Sequence, residues 1–139
     1  GGAHVGEVNI ILGHTSEEVQ EGVEGDIIVG DEVNRANIFG GGIAANGAHS
    51  SVGTVNITVR GNAVINGDIY AGGIAQDGDY QGNPEDYEKS LSTVENATIT
   101  IAGGTVNGNI YAGGIVSSAG DTEEKLSESK LSVLTLPPR

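Results

Sequence analysis

The chain has 139 residues, 37% of them apolar but only 4% aromatic, so a single small domain must be filled by aliphatic side chains. Its 24 glycines against 3 prolines, without a collagen period, describe a backbone that turns often and packs against itself. A formal charge of −13 disfavours nucleic acid and anionic membrane as partners, since both need clustered Lys and Arg, and the absence of Cys excludes disulfides and thiolate metal sites.

In chain order, the first element is an alternating strand, Val5-Gly6-Glu7-Val8-Asn9-Ile10-Ile11-Leu12. An acidic stretch over 17–26 follows and, lacking ordered ligand spacing, reads as a solvated loop. Next comes the Gly-rich block Ile38-Phe39-Gly40-Gly41-Gly42-Ile43-Ala44, then a loop over 45–53. Val52-Gly53-Thr54-Val55-Asn56-Ile57-Thr58-Val59 repeats the first strand at an offset of 47. The turn dipeptide Asn66-Gly67 leads into Ile69-Tyr70-Ala71-Gly72-Gly73-Ile74-Ala75, 31 residues after the first Gly-rich block. A long polar loop over 76–95 precedes Ala97-Thr98-Ile99-Thr100-Ile101. Asn107-Gly108 then introduces Ile110-Tyr111-Ala112-Gly113-Gly114-Ile115-Val116, another 41 residues on. A second acidic stretch over 121–124 reads as a loop, and 130–136 reads as a final strand, ended by Pro137-Pro138.

These recurrences predict an all-β fold, a parallel β-helix of about three coils with variable loops. It is one solenoid domain over 1–139, with repeats at about 5–44, 52–75 and 94–116 and a terminal strand at 130–136. The alternative is an antiparallel β-sandwich, since Asn-Gly also marks hairpins. A meander, however, does not return different pieces in the same order one long period later. Stacked coils do, and they place like residues in columns. Phe39, Tyr70 and Tyr111 are expected to form an aromatic column beside Ile38, Ile69 and Ile110, with Ile57, Val59, Ile69, Ile99, Ile101 and Ile110 facing inward.

The blocks V-N-I-T-V-x-G and N-G-D-I-Y-A-G-G resemble the Gly-rich coils of bacterial secreted β-helical proteins, autotransporter passenger domains and large adhesins among them. The resemblance spans about 5–116. It implies export, an extracellular or bacterial cell-surface location and a rod-like stack. It carries no catalytic or receptor-binding residue with it.

The sharpest chemical motif is the segment 77–88, which places Asp77, Asp79 and Glu88 at positions 1, 3 and 12 of a calcium-type loop around Gly82. Gln81 and Pro84 depart from that pattern, and a solvated acidic loop is the alternative reading. His4, His14 and His49 show no ligand spacing, although His4 and His49 occupy similar repeat positions and stacking would bring them near each other. The Gly triplets lack the Lys-Ser or Lys-Thr of a phosphate loop, and no Cys or G-x-S-x-G supplies a nucleophile. Asp68 is the clearest strand-borne acid and reads as a solvent-facing turn residue. The function expected is therefore a non-catalytic structural or adhesive module. The alternative is a glycan-binding module or a fragment of a polysaccharide-active enzyme, whose carboxylate pairs would have to line a groove. The expected partners are further copies of the chain, meeting through open solenoid ends into a filament, and a host glycan or protein. No segment is long and apolar enough to insert directly into a membrane. The start in mid-period suggests a slice of a longer array.

Overall fold

The computed structural model describes residues 2–22, 25, 27–77, 82–86, 88–118, 127–128 and 131–135. The chain winds through one circuit several times. The first coil runs through β1 (Gly2–Leu12), helix α1 (Ser16–Gln20), β2 (Ile28–Val29), β3 (Ile38–Phe39) and β4 (Ile43–Ala45). The second runs through β5 (His49–Val59), β6 (Val64–Ile65), β7 (Ile69–Tyr70) and β8 (Ile74–Asp77), with a short 3-10 turn at Pro84–Asp86. The third is β9 (Leu91–Ile101), β10 (Thr105–Val106), β11 (Ile110–Tyr111) and β12 (Ile115–Ser118). A fourth opens with β13 (Ser127–Glu128) and β14 (Leu131–Thr135).

Each strand pairs in parallel with its copy one coil away. The result is four sheets: β1-β5-β9 with β13 and β14 on the far edge, β2-β6-β10, β3-β7-β11 and β4-β8-β12. The fold is a parallel β-helix. Every strand bond joins segments one period apart, which is why the recurrences stand out so clearly in the sequence.

The core fills the tube with columns of aliphatic side chains. Val55, Ile57, Val59, Ile65, Ile69 and Ile99 are fully enclosed, and Val8, Ile10, Leu12, Ile38, Ile101 and Ile110 pack against them at the ends of the stack. The six residues expected to face inward all do so, four completely and Ile101 and Ile110 in part. Each fully buried Val or Ile contributes about 1.5–3 kcal/mol relative to exposure.

Three features depart from the expected layout. The long strands start earlier than the repeat blocks suggest, at His49 and Leu91, so the intervening loops shrink to 46–48 and 78–90. Those strands are also bent. Val52 and Val55 are both buried, as are Val94 and Ala97, and the pairing skips the column Gly6, Gly53 and Glu95. Two residues face outward between the inward ones, which shifts the alternation by one and lets a single sheet turn a corner. Finally, the Ile-Tyr-Ala-Gly-Gly-Ile-Ala block is two strands rather than one. At the bend between them, a Cβ on Gly73 would lie 2.0 Å from the Gly42 carbonyl oxygen, so the backbones approach closer than any side chain allows.

The acidic stretch near the start is not wholly a loop. Thr15 and Glu18 form a reciprocal capping box: the Glu18 N–H donates to Thr15 Oγ1 at 3.0 Å, and the Thr15 N–H donates to Glu18 Oε1 at 2.8 Å. The bond from the Thr15 backbone N–H, followed by one from the Thr15 side chain, holds the Glu18 carboxyl below the usual carboxylate range. The stretch 121–124 lies outside the described residues.

Candidate functional site

The coils differ at two corners: after the long sheet, where the first coil inserts α1, and between the fourth sheet and the next long strand. In the first coil the second of these corners is a tight turn, with Asn46 at φ 54° and Gly47 at φ 81°, the left-handed pair of a two-residue hairpin-type turn. In the second coil the same corner carries the excursion 78–90, and in the third the segment 119–126, which lies outside the described residues.

The base of the 78–90 excursion is closed by a buried polar clasp. The Ser90 hydroxyl donates to Asp77 Oδ1 at 2.6 Å, and the Ser90 N–H is within 3.2 Å of both carboxylate oxygens. The Ser90 hydroxyl oxygen also accepts the Gly47 N–H at 2.9 Å, tying the clasp to the tight turn one coil above. Asp77 is 6% exposed and Ser90 fully buried. Of the three residues in the calcium pattern, Asp77 is therefore engaged at the loop base, Glu88 is exposed, and Asp79 lies outside the described residues. Among the described residues no three His, Cys, Asp or Glu side chains converge as a metal site.

On the outer face of the third sheet the rings of Phe39, Tyr70 and Tyr111 stack with centroids 4.7 and 4.8 Å apart and interplanar angles of 7° and 16°, as the recurrence predicted. This spacing is the rung distance of a β-ladder, so the backbone sets the stacking. A polar ladder runs beside the rings. The Asp68 N–H donates to Asn37 Oδ1, the Asn109 N–H donates to Asp68 Oδ1, each at 2.8 Å, and the Asn109 amide reaches the Tyr111 hydroxyl at 3.2 Å. Asp68 is thus a half-buried rung between coils and not simply a solvent-facing turn residue. Burial, followed by the Asp68 charge, raises the Tyr70 hydroxyl above its usual range. Asn66 and Asn107 form a second amide rung at 2.9 Å, and Asn9 and Asn56 a third at 3.0 Å. Next to the rings, Ile43 is 67% exposed on the outer face, whereas Val116 stands in the inward column of the buried Ala44 and Ala75.

The expected meeting of His4 and His49 does not occur. Register pairs Val5 with Val52, which sets His4 opposite Ser51, and the His4 ring nitrogen lies 2.7 Å from the Ser51 hydroxyl. The two extra residues Ser50 and Ser51 displace His49, because the buried valines decide the alignment. His14 instead joins the first-coil insertion, with Nε2 2.9 Å from the Gly25 carbonyl oxygen and Nδ1 3.8 Å from Glu18. Helix α1 lies over the neighbouring corner of the lower coils. Between them is a cleft of about 290 Å³, lined by Ser16, Val19, Gln20, Asn62 and Gly103 among others, with no charged side chain in its wall.

The helix and the clasp were the parts hardest to foresee. Thr15-x-x-Glu18 was the available signal for the first. The Asp77 to Ser90 bond had none, since it spans a loop of arbitrary length. No protein-family model, curated protein or solved structure matches this chain.

Proposed function

We propose that the chain is a non-catalytic structural and adhesive module of an extracellular or bacterial cell-surface protein, a rigid solenoid that displays loops from one corner and joins other copies end to end. The observation that carries this reading is the combination of invariant columns with a variable corner. The aromatic and aliphatic columns repeat rung by rung and amide pairs bridge single steps, while the corner after the fourth sheet changes from a tight turn to a clasped excursion. Such a division suits a scaffold that holds recognition loops away from a surface. The resemblance to secreted β-helical repeats supports the same setting. The acidic surface favours solubility there.

Two measurements test this function. Glycan arrays and immobilised host-matrix proteins are probed with the intact chain and with a variant carrying a Gly-Ser replacement of 78–88. The expected outcome is binding to a glycan or protein that the replacement abolishes. In parallel, acidic polysaccharides are incubated with the chain, and release of shorter oligosaccharides would replace this reading with an enzymatic one.

A further inference from the structure

The corner that follows the long sheet is built differently in the first coil from the next two. In the second and third coils it is a tight turn, with Gly61 at φ 62° and Gly104 at φ 79°, whereas the first coil inserts α1 and lays it over both turns. We infer that the cleft of about 290 Å³ beneath α1 binds one unit of an uncharged sugar, held by Ser16, Gln20 and Asn62. This site lies at the opposite end of the long strands from the 78–90 excursion, and it stands independently of the recognition proposed for that loop.

The wall of the cleft is the main argument. Ser16, Val19 and Gln20 line it from α1, and Asn62, Gly61 and Gly103 line it from the turns. Among the described residues, no protein group hydrogen-bonds to the side chains of Ser16, Gln20 or Asn62. A hydroxyl and two amides present donors and acceptors together, which suits sugar hydroxyls because each of those both donates and accepts. Val19, 37% exposed, supplies an apolar patch for the C–H groups of a sugar ring. Gly61 and Gly103 put bare backbone in the floor, so a ligand can approach it closely. No charged side chain lines the cleft, and Glu17, Glu18 and Glu21 of the same insertion, on a chain of charge −13, repel anions. A neutral ligand is therefore preferred to a uronate or a phosphate. The volume stands at the lower limit of ligand pockets, about 300 Å³, which fits a single ring better than a longer chain. With no carboxylate in the wall, a sugar there is held and not cleaved.

The fold positions this wall before any ligand arrives. Helix α1 contributes no buried residue, so its place is set by polar ties at its base. The Thr15 and Glu18 capping box fixes its first turn, and His14 Nε2, 2.9 Å from the Gly25 carbonyl oxygen, joins the two feet of the insertion. Arg60 anchors the turn beneath: its Nε donates to the Gly13 carbonyl oxygen at 2.9 Å, and its backbone N–H donates to the Leu12 carbonyl oxygen at 2.9 Å. A Cβ on Gly61 would come within 2.6 Å of the His14 carbonyl oxygen, so the turn sits directly against the start of the insertion. A preformed site loses less freedom on binding.

Saturation-transfer NMR of the intact chain tests the site, using the methyl glycosides of glucose, galactose, mannose and N-acetylglucosamine, with galacturonate as the charged control. At least one neutral glycoside should saturate with a Kd of about 1 mM, the strength expected of a few neutral hydrogen bonds. Galacturonate should bind at least about tenfold more weakly. Gln20→Ala and Asn62→Ala should each weaken binding about three- to tenfold. Val19→Trp, which fills the cleft, should abolish it. Because α1 buries nothing, these variants should keep the β-sheet circular dichroism of the parent. Gly-Ser replacement of 78–88 should leave glycoside binding unchanged. The inference falls if no neutral glycoside saturates at about ten times that Kd. It falls equally if binding survives Val19→Trp and Asn62→Ala undiminished, or if galacturonate binds as well as the neutral sugars. Loss of glycoside binding on replacing 78–88 would also overturn it, by moving the sugar to the excursion, and would leave the adhesive reading standing.

Discussion

The Ser90 hydroxyl donates to the Asp77 carboxylate across 2.6 Å, and this buried bond joins the two feet of a loop that otherwise projects from the solenoid. Asp77→Ala leaves the Ser90 N–H and hydroxyl with one acceptor fewer in a site closed to water. It should cost about 1–3 kcal/mol. Ser90→Ala should cost a similar amount, because it takes a donor from the carboxylate and the acceptor from the Gly47 N–H at once. Urea unfolding of both variants measures the two costs. Limited proteolysis should cut Asp77→Ala first within 78–89.

Side chains in the inner and outer columns should differ sharply in energetic weight. Ile69 is fully buried and Ile43 is 67% exposed, although both belong to the same Gly-rich block in successive coils. Ile69→Ala should destabilise by about 2–5 kcal/mol through lost burial and a residual cavity. Ile43→Ala should stay within about 0.5 kcal/mol of the parent. Equal losses in chemical unfolding would mean that the register is wrong.

Glycine at the bend between the third and fourth sheets is required by space. A Cβ at Gly73 meets the Gly42 carbonyl oxygen at 2.0 Å and the Ser92 hydroxyl at 2.6 Å, while one at Gly113 meets nothing within 4 Å. Gly73→Ala should therefore cost at least about 1–3 kcal/mol, the usual range for overpacking. Gly113→Ala should be tolerated. Thermal melts of the pair check this directly.

Tyr70 should give the solenoid an alkaline sensitivity. Its hydroxyl is raised above the ordinary value by burial first and by the Asp68 charge second. As pH climbs past the unfolded value of about 10, the unfolded chain releases this proton before the folded chain does, so stability falls between the unfolded and folded values and is unaffected below them. Ultraviolet titration should show a late phenolate from Tyr70. Asp68→Asn should move it part of the way back, and Tyr70→Phe should remove it.

Much of the fold was legible because a parallel, in-register stack rewards the same residue at the same place in every coil. The recurrence of Ile38, Ile69 and Ile110 with Phe39, Tyr70 and Tyr111 marks which segments pair, and the alternation in Val55, Ile57 and Val59 marks which side faces the tube. These are local properties repeated at a distance, so they survive in a one-dimensional reading.

The remaining features depend on how coils meet. His4 reads as a twin of His49 until the buried valines align it with Ser51. The bend at Gly53 and Glu95 shifts the alternation only once the sheet has to close a tube. Asp68 becomes a rung when Asn37 and Asn109 arrive above and below it, and Asp77 becomes a clasp when a loop returns Ser90 to its side. By itself, then, the sequence determined the period, the parallel stacking and the inward columns. The tertiary structure alone decided register, corners and the partners of the acids, because each follows from contacts between coils that no spacing along the chain encodes.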